Sequence, residues 1–249
     1  FVGGRAAFWL GSRGHHADIG GRTPGSAPPD STTIEEEGVV IDLFPLVVRG
    51  MLREAETRAL LASGRWPCRS PDQNIADLKA QIAANETGRR ELLRVVAQHG
   101  AEVVAAYMGH VQKNAEECVR AVIDRLVDGA FLYPMDIGTE IRVAVTVDHA
   151  ARSAKIDFTG TSPQHRGNYN APQAVTRAVV LYVFRTLVGK SIPLNEGCLK
   201  PLTIIVPEGT LLNPVAPAAV IAGNTEVSQS ACNALYGALG VVAAAQGTM

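Results

Sequence analysis

Two histidines and an aspartate stand within four positions near the start of the chain, with glycines on both sides. They are His15, His16 and Asp18, preceded by Gly14 and followed by a glycine pair at positions 20 and 21. Imidazole nitrogens and a carboxylate oxygen suit a divalent cation such as zinc, manganese, iron or magnesium. The segment therefore predicts a metal site or a proton-transfer site.

The same residues allow three interpretations. Neighbouring side chains on an extended backbone point to opposite faces, so both histidines reach one ion only if the chain turns, which glycines permit. A carboxylate from the acidic residues 35–37 would complete such a metal shell. Without a metal, either histidine can act as a general base near neutral pH, and Arg13 can hold a carboxylate bidentately. The third interpretation is a solvated surface loop without a chemical role.

The composition indicates a packed protein and excludes several classes of partner. Hydrophobic residues make up 47% of the 249 residues and charged residues 19%, which supports a sizeable core. The formal net charge is -1 and no dense basic cluster occurs, so we expect neither nucleic acid nor a membrane as a partner. Four cysteines without a C-x-x-C pair indicate intracellular thiols, and we expect a cytoplasmic protein.

Helical and strand patterns occur along the same chain and predict a mixed α/β fold. Apolar residues at helical spacing predict two long helices, over residues 75–96 and 104–126, separated by His99 and Gly100. Period-two alternation predicts a strand over residues 141–147 that pairs with residues 155–158 as a hairpin. Further strands are expected at residues 1–10, 39–48, 202–206 and 218–222, and further helices at residues 174–187 and 228–244.

Three asparagines lie shortly before predicted helices, where α/β proteins often bind ligands. Asn168 and Asn170 precede the helix at residues 174–187, and Asn224 precedes the helix at residues 228–244. The unpaired N–H groups at a helix N-terminus attract anionic substrates or phosphate. The alternative is structural, because asparagine commonly forms caps and turns.

Familiar catalytic motifs do not explain the chain. Gly189, Lys190 and Ser191 resemble the end of a phosphate-binding loop, but Phe184 occupies the position five residues earlier where the motif requires glycine. The sequence also has no G-x-S-x-G and no H-E-x-x-H run, so serine hydrolase and zincin mechanisms lack their markers.

Six segments with distinctive, non-repetitive sequences are spread over the chain. They are residues 12–21 (SRGHHADIGG), 74–81 (NIADLKAQ), 106–110 (AYMGH), 157–161 (DFTGT), 167–172 (GNYNAP) and 246–249 (QGTM). Together they resemble the hydantoinase B/oxoprolinase family over the full length of the chain. The resemblance implies that residues 1–249 form one hydantoinase B/oxoprolinase domain and are an internal fragment of a longer polypeptide. An acidic, histidine-containing segment would precede residue 1.

The resemblance implies ATP-dependent hydrolysis of a cyclic amide, either of 5-oxoproline to glutamate or of a hydantoin. A divalent metal would serve the reaction. ATP would bind to a hydantoinase A-type subunit or to a fused half rather than to this chain, and the assembly would be an oligomer. Two alternatives stay open, namely an ATP-dependent ketone carboxylase subunit and a non-catalytic structural subunit that positions an ATP-binding partner.

The resemblance also implies roles for the candidate residues. The residues that would bind the metal or activate water are His15, His16 and Asp18. The residues that would contact the substrate are Arg13, Asn168, Asn170 and Asn224. Arg13 would pair with the substrate carboxylate, and the asparagines would contact the lactam ring or a phosphorylated intermediate.

Overall fold

A computed structural model describes residues 1–243 and residue 247. The helices are α1 (Ile34–Glu37), α2 (Glu54–Leu61), α3 (Pro71–His99), α4 (Ala101–Ile123), α5 (Gln173–Leu187) and α6 (Glu226–Leu239). The strands are β1 (Val47–Val48), β2 (Met51–Leu52), β3 (Gly129–Pro134), β4 (Glu140–Asp148), β5 (Ser153–Asp157) and β6 (Leu202–Ile205). This mixture of helices and strands confirms the predicted mixed α/β fold.

The chain divides into two compact units. The first unit comprises Phe1–Pro28 and Glu35–Gly109, and the second comprises Pro29–Ile34 and His110–Met249. The long helix α4 runs from the first unit into the second. The prediction of a single family domain over residues 1–249 stays a prediction.

A four-stranded sheet in the order β3-β4-β5-β6 lies at the centre of the second unit. β4 pairs antiparallel with both β3 and β5, which confirms the predicted hairpin. β6 lies parallel to β5, and the chain between these two strands contains α5. Parallel neighbours need a crossover connection, and a helix commonly provides it.

The alternation along β4 determines which face of the sheet is buried. Ile141, Val143 and Val145 are buried, while the residues between them are exposed. α6 packs against β3 and β4, and α5 packs against α6. Phe158 and Phe184 are completely buried in the hydrophobic core of this unit.

Glycines allow α6 and β3 to approach each other closely. A Cβ atom at Gly129 in β3 would collide with the backbone carbonyl of Ala238 in α6. A Cβ atom at Gly237 in α6 would lie 2.7 Å from the ring of Phe131 in β3. Small residues in α6 are therefore favoured because they let this helix pack closely against β3.

The first unit contains α2 and α3, which pack against each other. α3 begins with Pro71, which is favourable because the first helical residue has no partner for an N–H group. The helix ends before Gly100, whose φ of 84° stops it where the sequence predicts. Its buried residues are Asn74 and Ile75, so only the first turns of this 29-residue helix reach the interior.

Three predicted strands are wrong or much shorter than expected. Residues 1–10 contain an isolated bridge between Val2 and Arg5 in place of a strand, and residues 39–48 contribute only the two residues of β1. Residues 218–222 contain a bridge from Ala218 to Thr33, followed by the 3₁₀ helix Ile221–Gly223. Apolar and β-branched residues favour a strand only where another strand is placed to pair with them.

The last helix differs from its predicted bounds at both ends. α6 begins at Glu226, two residues before the predicted cap Ser228. It ends at Leu239, because Gly240 adopts the left-handed conformation with a φ of 63°. The predicted end at Ala244 lies outside the described residues.

The described fold contains neither a disulfide nor a membrane-crossing helix. The cysteines Cys68, Cys118, Cys198 and Cys232 are all free. None of the helices in the described residues is both long enough and apolar enough to cross a bilayer. Burial raises the pKa of the Cys232 thiol to about 11, so this thiol is protonated at neutral pH.

Candidate functional site

The histidine-containing loop of residues 13–21 is held against α3 inside the first unit. The Nδ2 group of Asn74 in α3 donates a hydrogen bond to the backbone carbonyl of Asp18 at 2.9 Å. Gly20 and Gly21 have φ values of 91° and 87°, and a Cβ atom on Gly20 would collide with the carbonyl of Trp66. Both positions therefore favour glycine, and the backbone turns where the sequence predicts a turn.

Asp18 fixes the conformation of this loop. Its Oδ1 accepts the backbone N–H of Gly20 at 2.9 Å, and its Oδ2 accepts that of Gly25 at 2.9 Å. The Arg69 guanidinium donates to Oδ2 at 2.9 Å and to the carbonyl of Gly21 at 2.6 Å. Burial alone would raise the pKa of the Asp18 carboxyl, but the hydrogen bonds from Gly20, Gly25 and Arg69 hold it below its usual value. Asp18 is thus an ionised group whose two oxygens are already engaged.

His16 forms a pair with Asp77, which lies in α3. The distance from His16 Nδ1 to Asp77 Oδ2 is 3.2 Å, and Asp77 Oδ1 accepts from Gln73 Nε2 at 2.8 Å. An ionised carboxylate only accepts hydrogen bonds, so Nδ1 is the donor in this pair, and in the neutral imidazole Nε2 keeps its lone pair. The His16 side chain is 14% exposed. Its Nε2 can accept a proton or bind a metal, and Asp77 orients the ring.

His15 and Arg13 are exposed on the same loop. Within the described residues, neither side chain forms a hydrogen bond or an ion pair. Both side chains are therefore available to an external ligand. Their contact with a metal or with a substrate carboxylate stays a prediction.

The three predicted metal ligands do not come together as a shell. Both Asp18 oxygens accept N–H donors, so the carboxylate is engaged within its own loop, and metal binding by Asp18 stays a prediction. Across residues 1–243 and residue 247, no three His, Cys, Asp or Glu side chains are grouped to hold an ion, and this includes the acidic residues of α1. A structural or catalytic zinc site needs at least three protein ligands. His15 and His16 therefore offer nitrogens for only part of a site.

Asn170 holds the loop of residues 165–170 in the second unit. Its side chain is completely buried, and its Oδ1 accepts the backbone N–H of His165 at 2.7 Å. Its Nδ2 donates to the carbonyls of His165, Gly167 and Ala219 at 3.0, 2.8 and 2.8 Å. The amide is therefore hydrogen-bonded within the protein through both of its polar atoms, and substrate contact by Asn170 stays a prediction.

The other two predicted asparagines differ in exposure. Asn168 is only 4% exposed, and its Nδ2 donates to the hydroxyl of the buried Ser31 at 3.3 Å. Asn224 is exposed, and its backbone carbonyl accepts a hydrogen bond from the Ser228 hydroxyl at 2.7 Å. Ser228 therefore does not act as the predicted cap of α6. Asn168 belongs to the interior of its loop, whereas substrate contact by Asn224 stays a prediction.

Sequence patterns do not reveal Asp77 and Arg69 as partners of the histidine-containing loop. Asp77 is 61 residues from His16, and Arg69 is 51 residues from Asp18. The only local signal is the spacing of Gln73 and Asp77, which places both side chains on one face of a helix. Nothing in that spacing indicates which loop the helix face contacts.

Comparison with known proteins assigns the chain to a family. The sequence matches the hydantoinase B/oxoprolinase family over residues 1–249. It is 40% identical over 255 residues to the 5-oxoprolinase of Dictyostelium discoideum, an alignment that covers 99% of this chain and 20% of that protein. The chain therefore spans about a fifth of the length of this relative.

Two solved structures share the fold. ATP-dependent caprolactamase from Pseudomonas jessenii matches with a TM-score of 0.73 at 24% identity, covering 90% of this chain and 40% of that chain. Nucleotide-free acetone carboxylase matches with a TM-score of 0.75 at 20% identity, covering 91% of this chain and 32% of that chain. Identities this low show the fold alone. With the family match over its whole length, the chain belongs to the hydantoinase B/oxoprolinase family.

Proposed function

We propose that the chain is part of an ATP-dependent hydrolase that opens a cyclic amide, either 5-oxoproline or a hydantoin. The 40% identity with a 5-oxoprolinase over 99% of the chain carries this proposal. The pair of His16 and Asp77 supports it, because a base that takes a proton from water speeds the attack of that water on a carbonyl carbon.

The chemistry follows from the stability of the amide. Resonance between nitrogen and carbonyl makes the ring carbon a poor electrophile. Phosphorylation of the lactam oxygen by ATP removes this resonance and prepares the carbon for attack by water. His16 Nε2 takes a proton from the water while Asp77 holds the imidazole in position. The ring C–N bond then breaks as the nitrogen takes up a proton, which leaves an acyl phosphate. Hydrolysis of the acyl phosphate releases inorganic phosphate and yields glutamate, with ADP remaining from the phosphoryl transfer.

The proposal includes a second component that binds ATP. The chain spans 20% of the D. discoideum relative, and the caprolactamase with the same fold is ATP-dependent. We place ATP on a hydantoinase A-type subunit or fused half in an oligomeric assembly. The free thiols of this chain favour a reducing compartment such as the cytoplasm.

A divalent metal is a separate part of the proposal. His15 offers an exposed imidazole, but the described residues do not complete a ligand shell around it. No step above depends on the metal. Elemental analysis of the natural full-length protein tests this part, and His15→Ala should lower the bound metal if His15 is a ligand. Unchanged metal content in that variant would remove His15 from the site.

A ketone carboxylase is the second candidate, because acetone carboxylase has the same fold with a TM-score of 0.75. The identity values favour the hydrolase, since they are 40% for the 5-oxoprolinase and 20% for acetone carboxylase. Product analysis separates the two reactions. Ring opening without bicarbonate indicates the hydrolase, and bicarbonate-dependent carboxylation of a ketone indicates the carboxylase.

His16→Ala in the natural full-length protein tests the proposed base. We expect kcat for ATP-dependent ring opening to fall by about 10²-fold to 10⁴-fold, the usual contribution of a general base. His99→Ala is the matched control, because His99 is an exposed histidine at the end of α3. Full turnover by His16→Ala would remove this loop from the mechanism.

A further inference from the structure

A cavity in the second unit lies outside the histidine-containing loop. Its volume is about 310 Å³, and its lining comes from two segments, namely residues 29, 30 and 32 and residues 165–169. We call it the His165 cavity. Its lining combines the carbon surfaces of Pro29 and Tyr169 with the charged or polar side chains of His165 and Arg166. A mostly apolar lining with a few polar groups is typical of small-molecule sites.

The backbone on one side of the His165 cavity is rigidly held. Asn170 bonds to both the N–H and the carbonyl of His165 and to the carbonyl of Gly167. The backbone N–H of Ala222 also donates to the carbonyl of Asn168 at 3.2 Å. The loop is therefore organised before any ligand arrives, which lowers the entropy lost on binding.

The other side of the His165 cavity is also held by hydrogen bonds within the second unit. Ser31 is completely buried and accepts the side-chain hydrogen bond of Asn168. The backbone N–H of Ile34 donates to the carbonyl of Pro217 at 2.9 Å, and Thr33 forms a bridge with Ala218. Both walls are thus anchored to the same unit, so the cavity keeps its shape.

The imidazole of His165 has a defined hydrogen-bond donor. The backbone N–H of Gly167 donates to His165 Nδ1 at 3.1 Å, so Nδ1 is unprotonated and Nε2 carries the hydrogen. The rings of His165 and Tyr169 meet edge to face, with centroids 5.8 Å apart and planes at 89°. A Cβ atom at Gly167 would lie 3.1 Å from the His165 ring, so the glycine leaves room for this arrangement.

Arg166 gives the His165 cavity a positively charged group. Its side chain is exposed, and within the described residues it forms no hydrogen bond or ion pair. Asp30 and Thr32, which also line the cavity, already interact within the chain. His165 and Arg166 both line the cavity, and an unpaired guanidinium matches a carboxylate because the planar fork can donate two parallel hydrogen bonds.

We propose that the His165 cavity binds the carboxylate of a small molecule, with Arg166 as its ion-pair partner and His165 Nε2–H as a second donor. The ring carbons of the ligand lie against Pro29 and Tyr169. This assignment deepens the proposed function, on which it rests for the choice of ligand. The carboxylate belongs either to 5-oxoproline, the cyclic substrate, or to glutamate, the product of its ring opening.

Equilibrium binding to the natural full-length protein without ATP tests the site separately from turnover. The probes are 5-oxoproline, glutamate and 2-pyrrolidinone, which has the same ring as 5-oxoproline without the carboxylate. We expect Arg166→Gln to weaken binding of 5-oxoproline about tenfold or more and to leave 2-pyrrolidinone unaffected. Arg125→Gln is the matched control, because Arg125 is an exposed arginine away from the cavity.

The possible outcomes distinguish a failure of the proposed binding site from a failure of the proposed function. If Arg166→Gln weakens the binding of glutamate tenfold and leaves the binding of 5-oxoproline unchanged, the result supports the carboxylate site and assigns it to the product. Unchanged binding of both carboxylates by Arg166→Gln overturns the site, even if the protein hydrolyses 5-oxoproline. Arg166-dependent binding of 5-oxoproline by a protein that does not hydrolyse it overturns the proposed function and keeps the site.

Discussion

His16 and Asp18 are two positions apart and have different tasks. Asp18 accepts backbone N–H groups from within its own loop, which occupies both of its oxygens. His16 donates Nδ1–H to a carboxylate from another element and leaves Nε2 for an external partner. Two residues that suggest a shared metal site in the sequence therefore have separate roles in the structure. Asp18 stabilises the loop, and His16 can react.

Asp77→Asn is expected to impair catalysis without unfolding the loop. The amide keeps the size of the carboxylate but lacks the charge that stabilises a protonated His16. We expect kcat for ring opening to fall by about 10-fold to 100-fold, the usual effect of losing a partner that orients a reactive histidine. KM should change little. Asp72→Asn is the control, since Asp72 lies in the same helix and pairs with Arg58 on the surface. Equal losses in both variants would contradict a specific role for Asp77.

Asp18→Ala is expected to destabilise the first unit. The substitution removes an acceptor of two backbone N–H groups and of the Arg69 guanidinium, and the Asp18 side chain is only 13% exposed. We expect the free energy of unfolding to fall by about 1 to 3 kcal/mol. Chemical denaturation of the variant and the wild type measures the difference. A variant as stable as the wild type would show that Asp18 does not organise the loop.

The stabilising effect of Asp18 should depend on pH. Because folding lowers the pKa of Asp18, its contribution is fully present above the pKa of the unfolded chain. The contribution is then lost as the pH falls below about 4 and through the lower pKa of the folded state. The difference in unfolding free energy between wild type and Asp18→Asn should therefore shrink in acid. A difference that grows in acid would contradict this sign.

At the scale of elements, the sequence predicts correctly those helices and strands whose pattern is contained in one local segment. α3, α4 and the hairpin of β4 and β5 show their periodicity within a single segment, so their positions were predictable. β3 was not predicted, because Gly129 and Pro134 at its ends disfavour strands and most of its residues are exposed. The turn of the histidine-containing loop was predictable from its glycines, whereas the contact with Asp77 depends on packing.

Gly129→Ala is expected to separate β3 from α6. The added methyl group would meet the backbone carbonyl of Ala238, which cannot rotate away as a side chain can. We expect a loss of about 1 to 3 kcal/mol in the free energy of unfolding, the usual range for overpacking. Gly189→Ala is the control, because a Cβ atom there has no neighbour within 4 Å. Thermal denaturation of both variants makes the comparison, and similar melting temperatures would contradict the close approach.

At the scale of the molecule, the two units bury apolar surface unequally. Among the described residues, the buried hydrophobic side chains of the first unit are Leu61, Ile75 and Val104. The second unit has a much larger core, which includes Phe158 and Phe184. Burial of apolar surface is the main stabilising contribution to folding, so the two units should differ in local stability.

Hydrogen exchange should report this difference. We expect the backbone amides of β4 and α6 to exchange more slowly than those of residues 80–99 in α3, because the latter have few buried neighbours. Mass spectrometry of the natural full-length protein measures both sets in one experiment. Equal or slower exchange in the second half of α3 would show that another part of the protein covers that helix.

The way in which Asn170 holds its loop has a consequence for redesign. All four of its hydrogen bonds go to backbone groups, which every amino acid except proline provides. The side chains at positions 165, 166 and 169 can therefore be exchanged while those four bonds are preserved. Randomising these three positions would generate variants with one architecture and different ligand preferences, which makes the loop a starting point for changing selectivity by directed evolution.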